Sequence, residues 1–169
     1  NGKSIDCIWN GLTIDDDRKA TMEITKPYVK NAQVVLVKEG TAYESTASLI
    51  GKAVAAEQGS AGEDVVKEDE NLKKANYVPK TLQTECLMEV KAGTADAAVL
   101  DLTLAKTMTG KGTNYEDIKI VDYLAEEDYG VAFRKGSDIC AEVNKIFDEL
   151  VADGTMGKLA EKYGLELAE

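Results

Sequence analysis

Apolar residues fall along this chain in short blocks separated by polar turns, and the blocks switch between strand and helix spacing. Residues 5–9 and 32–38 are mostly apolar runs, the second being Ala-Gln-Val-Val-Leu-Val-Lys, and both predict buried strands. Residues 52–58, 76–79, 94–100, 118–123 and 129–134 read as further extended segments. Helical spacing predicts helices over 15–22, 46–51, 61–69, 82–91, 102–108, 139–153 and 156–163. In the fourth of these, Leu82, Cys86, Leu87 and Val90 share one face, and Gly93 ends the helix. Such alternation predicts an α/β fold with largely parallel sheets.

Composition narrows the classes of function. With 169 residues, 44% of them hydrophobic, the chain is long enough to bury a core in one or two domains. A net charge of -11, from 31 acids and 20 bases, argues against nucleic acid and anionic membranes and favours a small partner. No apolar run approaches the ~20 residues of a membrane span, and no export signal is visible at the start of the chain. The sequence has no histidine, and Cys7, Cys86 and Cys140 lack the paired spacing of a metal or redox site. These features leave little room for hydrolytic or metal-dependent catalysis, and the three cysteines read as buried small hydrophobes.

Candidate chemistry gathers at predicted strand ends, where parallel α/β sheets bind ligands. Arg18 stands in the first turn of a helix, where the helix dipole disfavours a cation, while Asp15 is a natural N-cap. A planar guanidinium suits a small carboxylate. Gly59-Ser60-Ala61 opens a helix whose unpaired N–H groups suit an anion. Asp101 follows the strand over 94–100 and offers the opposite charge, so the set complements a zwitterion. Plainer readings stand beside these. Arg18 alone is an ordinary solvated residue, Asp101 an N-cap, Trp9 equally a core residue, Thr13 a backbone partner, Asp96 a structural acceptor, and the acidic run over 63–70 a solvated helix face.

Six motifs in order carry a family resemblance: Ile5 to Thr13 with Arg18, Lys26-Pro27-Tyr28, Gly51-Lys52 to Gly59-Ser60, Gly93 to Asp101, Tyr129 to Gly136, and Asp153-Gly154-Thr155. Over almost its whole length the chain resembles the polar amino-acid substrate-binding proteins of bacterial ABC importers. The resemblance implies a two-lobe fold of the periplasmic-binding-protein-like type II, with lobe one incomplete because relatives usually carry further strands and helices before residue 5. Residues 1–31 and 126–169 would form the partial lobe one and 32–125 lobe two, with hinges near 28–33 and 125–129.

The same resemblance implies site residues. Arg18 would hold the ligand α-carboxylate, helped by N–H groups near Ser60 and Ala61. Asp101 would hold the α-ammonium, with the Gly11 carbonyl and Thr13 hydroxyl, while Trp9 and Asn10 face the ligand side chain. Where many relatives have threonine, this chain has Ala61, which offers only its backbone. The implied protein is extracytoplasmic, periplasmic or a cell-surface lipoprotein with its signal removed. It binds an amino acid and a membrane permease, and it uses no catalytic residue, metal or cofactor. The unpartnered apolar faces of lobe one predict a homodimer or a swapped oligomer. The alternatives are a periplasmic dehydratase-like enzyme or a ligand-sensing domain of the same fold, or a structural interaction protein that binds no ligand.

Overall fold

A computed structural model describes residues 4–168; residues 1–3 and 169, assigned from sequence to the partial first lobe, lie outside the described residues. The elements run β1 (Cys7–Thr13), α1 (Asp16–Thr21), β2 (Met22–Ile24), β3 (Val29–Lys38), β4 (Ala53–Glu57), α2 (Ala61–Glu68) and β5 (Asn76–Lys80). They continue with α3 (Gln83–Ala92), β6 (Ala97–Asp101), α4 (Leu102–Met108), β7 (Ile118–Arg134), α5 (Ile139–Ala152), α6 (Thr155–Tyr163) and β8 (Glu166–Leu167). Packing divides the chain into two units, Asn1–Asn31 with Glu127–Glu169, and Ala32–Glu126. The chain passes from one unit to the other inside β3 and again inside β7.

In the unit Ala32–Glu126, β4 pairs parallel with β5 and β6, through Ala53↔Asn76 to Glu57↔Lys80 and through Val54↔Ala97. β6 pairs antiparallel with β3, from Gln33↔Asp101 to Val37↔Ala97. Side chains alternate between the two faces of this sheet, as the period of two requires. Val34, Leu36, Ala55, Ala98 and Leu100 pack with Cys86, Leu87 and Val90 of α3. Val35, Val37, Val54, Ala56, Ala97 and Val99 pack on the other face with Val66 of α2, Leu49 and Leu72. Burial on both faces explains why the cores of β3 and β6 read as largely apolar runs without polar alternation.

In the other unit, the end of β7 lies between β1 and β2 and pairs antiparallel with both. Val131 and Phe133 pack on Cys140 and Phe147 of α5, joined by Cys7, Tyr28 and Val143. β8 pairs antiparallel with Val29 and Lys30.

The α/β class stands, with three corrections to the expected elements. The sheet is mixed: α2 and α3 supply the crossovers that make β4, β5 and β6 parallel, whereas β3 reaches β6 without that geometry and runs antiparallel. The strand expected over 5–9 is β1, over Cys7–Thr13, and it is not buried, since Ile5 is 62% and Trp9 55% exposed. The two strands expected over 118–123 and 129–134 are one, because the polar stretch between them is extended in β7 instead of turning. Cys86 and Cys140 are buried, but Cys7 is only half-buried.

Candidate functional site

β1 is interrupted at three of the residues that the resemblance places at the ligand. Ile8 pairs with Ala132 and Leu12 with Gly130, so four steps on β1 match two on β7, and Trp9, Asn10 and Gly11 lie in a bulge. Gly11 makes the bulge accessible: its φ is 74°, and a Cβ there would stand 3.3 Å from the Tyr129 ring. Asn10 is exposed, and Trp9 rests edge-on against Tyr28 and Phe147 at centroid distances of 6.3 and 5.9 Å. Trp9 is therefore half core and half surface. Burial pushes the Tyr28 phenol pKa up, opposed by its hydrogen bond with Trp9.

Two local anchors hold Arg18. Asp15 caps α1 by accepting from the Arg18 backbone N–H at 2.7 Å, and its other oxygen meets Arg18 Nε at 3.1 Å. Arg18 Nη1 donates to the Thr13 carbonyl at 2.7 Å. The N-cap carboxylate offsets the dipole cost of a cation in the first turn of α1. Thr13 meets Arg18 through its backbone, and the side chain that the resemblance assigned to an ammonium is not the group in this contact.

Asp101 ends β6 in the other unit, and two amides set its carboxylate. Gln33 Nε2 donates to Oδ1 at 2.5 Å and Gln83 Nε2 to Oδ2 at 2.6 Å, while the Asp101 N–H donates to Gln83 Oε1 at 3.0 Å. Asp101 occupies the N-cap position of α4 without a side-chain capping bond. Its side chain is aimed by the two glutamines and not by the helix it precedes. Asp96, at the other end of the strand, accepts from Ala53 N–H at 2.8 Å, the structural role expected of it.

Ser60 caps α2, with its Oγ accepting from Glu63 N–H at 3.2 Å and donating to the Glu57 carbonyl at 2.7 Å. The Ser60 N–H itself turns back to the Glu57 carbonyl at 3.3 Å, which leaves Ala61 as the first helical donor. Glu63 corrects the expectation of a fully solvated acidic face. It is 8% exposed, accepts from Gly59 N–H at 2.8 Å and pairs with Lys67 at 2.9 Å. Lys67, then the Gly59 N–H, holds its carboxyl below the usual carboxylate range, against the opposing effect of burial.

α2 and Asp101 meet through Gly62. A Cβ at Gly62 would lie 2.9 Å from Gln33 Oε1 and 3.1 Å from the Val99 carbonyl oxygen. Gln33 thus links the N-terminal turn of α2 to the Asp101 carboxylate within one unit. Arg18, Thr13, Gly11, Asn10 and Trp9 form a separate set in the other unit. Sequence reasoning missed Gln33 and Gln83. Gln33 carries a signal, being the one polar residue inside the run Ala32 to Val37 and only 1% exposed. A side-chain amide there needs a buried partner.

The family profile of bacterial extracellular solute-binding proteins, family 3, matches residues 1–166. The probable amino-acid-binding protein YxeM of Bacillus subtilis (strain 168) is 34% identical over 170 residues, which cover 94% of this chain and 61% of the relative. An L-arginine-binding protein of Pseudomonas aeruginosa is 29% identical, with 95% of this chain and 65% of the relative covered. The chain thus spans 61% and 65% of the length of these two relatives. Among solved structures, a variant of ArgBP from T. maritima matches with a TM-score of 0.85 and 32% identity, over 95% of this chain and 69% of the other. An ancestral amino acid-binding protein, described as a precursor of cyclohexadienyl dehydratase, matches with a TM-score of 0.85 and 31% identity, over 95% and 70%.

Proposed function

The chain belongs to the bacterial extracellular solute-binding proteins, family 3, and from that membership we propose that it captures a free amino acid for an ABC importer and performs no catalysis. The two units act as the lobes, joined by β3 and β7, and the closed arrangement is selected by ligand because only it makes both sets of contacts. Arg18 grips the α-carboxylate with its planar fork, assisted by the N–H groups near Ser60 and Ala61. Asp101 receives the α-ammonium, with the Gly11 carbonyl and Thr13 hydroxyl nearby. Trp9 and Asn10 border the ligand side chain. The protein works outside the cytoplasm and delivers its ligand to a membrane permease. Among the described residues no helix is long and apolar enough to cross a membrane.

The observation that carries this reading is the setting of Asp101: both carboxylate oxygens are held by glutamine amides at the carboxyl end of β6, beside the first turn of α2. Orienting an acid in advance lowers the entropy cost of receiving an ammonium. Charge-assisted hydrogen bonds contribute ~1.5 to 3 kcal/mol each, so a few of them supply much of the roughly -8 kcal/mol of a micromolar complex.

Titration calorimetry with a panel of amino acids tests the proposal. The unaltered chain should bind at least one of them, and Arg18→Ala and Asp101→Ala should each weaken binding by about 30-fold or more. Thermal unfolding of each variant checks that the loss is local. Equal binding by all three proteins, or binding by none, overturns the assignment.

A further inference from the structure

Of the polar residues buried among the described ones, Thr25 accepts from the Val131 N–H, Thr46 accepts from the Asn71 amide, Gln33 aims Asp101 and Glu63 caps α2. Asn31, only 4% exposed, belongs to none of these arrangements. Its Nδ2 donates to Glu127 Oε1 at 2.5 Å, a residue 96 positions away in sequence.

The place of this bond in the chain gives it meaning. Asn31 is the last residue of its unit before the chain leaves it in β3, and Glu127 is the first after the chain returns in β7. Within that unit the same two stretches are already joined by backbone bonds, from Thr25 N–H to the Val131 carbonyl and from Tyr28 N–H to the Tyr129 carbonyl, each 3.0 Å. The three bonds, Thr25 to Val131, Tyr28 to Tyr129 and Asn31 to Glu127, advance in antiparallel order toward the crossing. The one nearest the crossing is made by side chains. An amide bonded to a carboxylate is directional, and a buried amide cannot trade that bond for water. An apolar pair would let the strands slip, whereas this bond holds them in one alignment.

We propose that Asn31 and Glu127 are positioning residues for ligand capture: their bond keeps the two crossing strands aligned up to the unit boundary, so that both bend at one level when the units close. This deepens the amino-acid capture proposed above and rests on it. Neither side chain touches the ligand. Without the bond the strands bend independently, the ligand-free chain spreads over more arrangements, and apparent affinity falls with the fraction competent to close.

Two measurements test the inference. Small-angle X-ray scattering from the monomer peak of a size-exclusion column reads the ligand-free chain, and calorimetry with each of the common L-amino acids as probes reads capture. Glu127→Ala should broaden the ligand-free distribution of dimensions and weaken the tightest-binding probe by about fivefold or more. Glu127→Gln keeps an acceptor oxygen for the Asn31 amide and should restore both readouts to within about twofold of the unaltered chain. Asn31→Ala carries the same comparison if Glu127→Ala misfolds. A lower melting temperature with dimensions and affinity unchanged overturns the proposal and leaves amino-acid capture intact, because the bond is then structural alone. A Glu127→Gln chain as impaired as Glu127→Ala also overturns it. If the unaltered chain binds no amino acid, capture and this role in it fall together.

Discussion

Gly62 shows how one hydrogen in place of a methyl group can matter to a whole site. In an exposed helix, alanine is better than glycine by about 1 kcal/mol. At Gly62 the added Cβ would press on Gln33 Oε1 at 2.9 Å and on the Val99 carbonyl at 3.1 Å. Gln33 is fully enclosed and holds Asp101 at 2.5 Å, so it cannot withdraw without turning the carboxylate. Gly62→Ala should therefore destabilise the chain by about 1 to 3 kcal/mol. Gly157, inside α6 with nothing within 4 Å of its Cβ position, provides the control. Gly157→Ala should be neutral or stabilising by up to about 1 kcal/mol. Urea unfolding of both variants measures the contrast, and equal shifts would mean that the Gln33 contact is not what sets the cost.

At the scale of the element, the start of α2 is a reciprocal cap: Ser60 accepts from Glu63 N–H, and Glu63 reaches back to Gly59 N–H. Glu63→Gln should cost about 1 kcal/mol at neutral pH. The sign of its pH dependence follows from the lowered pKa of this carboxyl. Such a group contributes fully above its unfolded value, about 4.3 for glutamate, and the contribution is lost as pH falls through the folded value. The stability gap between the unaltered chain and Glu63→Gln should therefore narrow under acid, as denaturant unfolding at neutral and acid pH would report. A gap independent of pH would show that the ionised cap is not responsible.

The same element marks the boundary of what the sequence reveals. The start of α2 is legible from the Gly59-Ser60 turn, a local signal. The burial of Glu63 is not, because it depends on α2 packing against the sheet, where Val66 of the helix joins a cluster that also takes in Tyr77 of β5. Likewise the strand leading to Asp101 is legible from its apolar run, but the amides that aim its carboxylate come from β3 and α3, distant in sequence. The bulge in β1 depends on register against β7, which no local pattern records. The length of β7 was hidden because its polar middle resembles a turn and is held extended only by its place in the fold.

Across the whole molecule, apolar burial is uneven. The unit Ala32–Glu126 covers both faces of its sheet, whereas the other unit centres on Val131, Phe133, Cys140 and Phe147. That second unit also exposes Trp9, Ile139, Ile146, Val151, Leu159 and Tyr163. On α5, Cys140 and Phe147 face inward while Ile139 and Ile146, two turns apart, stay exposed, so its apolar arc is wider than the core beneath it. Exposed apolar arcs of this kind favour self-association, and the net charge of -11 opposes it. Salt screens the repulsion without weakening apolar contact, so association driven by α5 should strengthen with ionic strength. Sedimentation velocity should show a reversible dimer whose share rises with protein and salt concentration, and Ile146→Lys should return it to monomer with ligand affinity unchanged. A species that stays monomeric at every salt concentration, or a dimer that dissociates as salt is added, would show that the exposed stripe of α5 does not drive assembly.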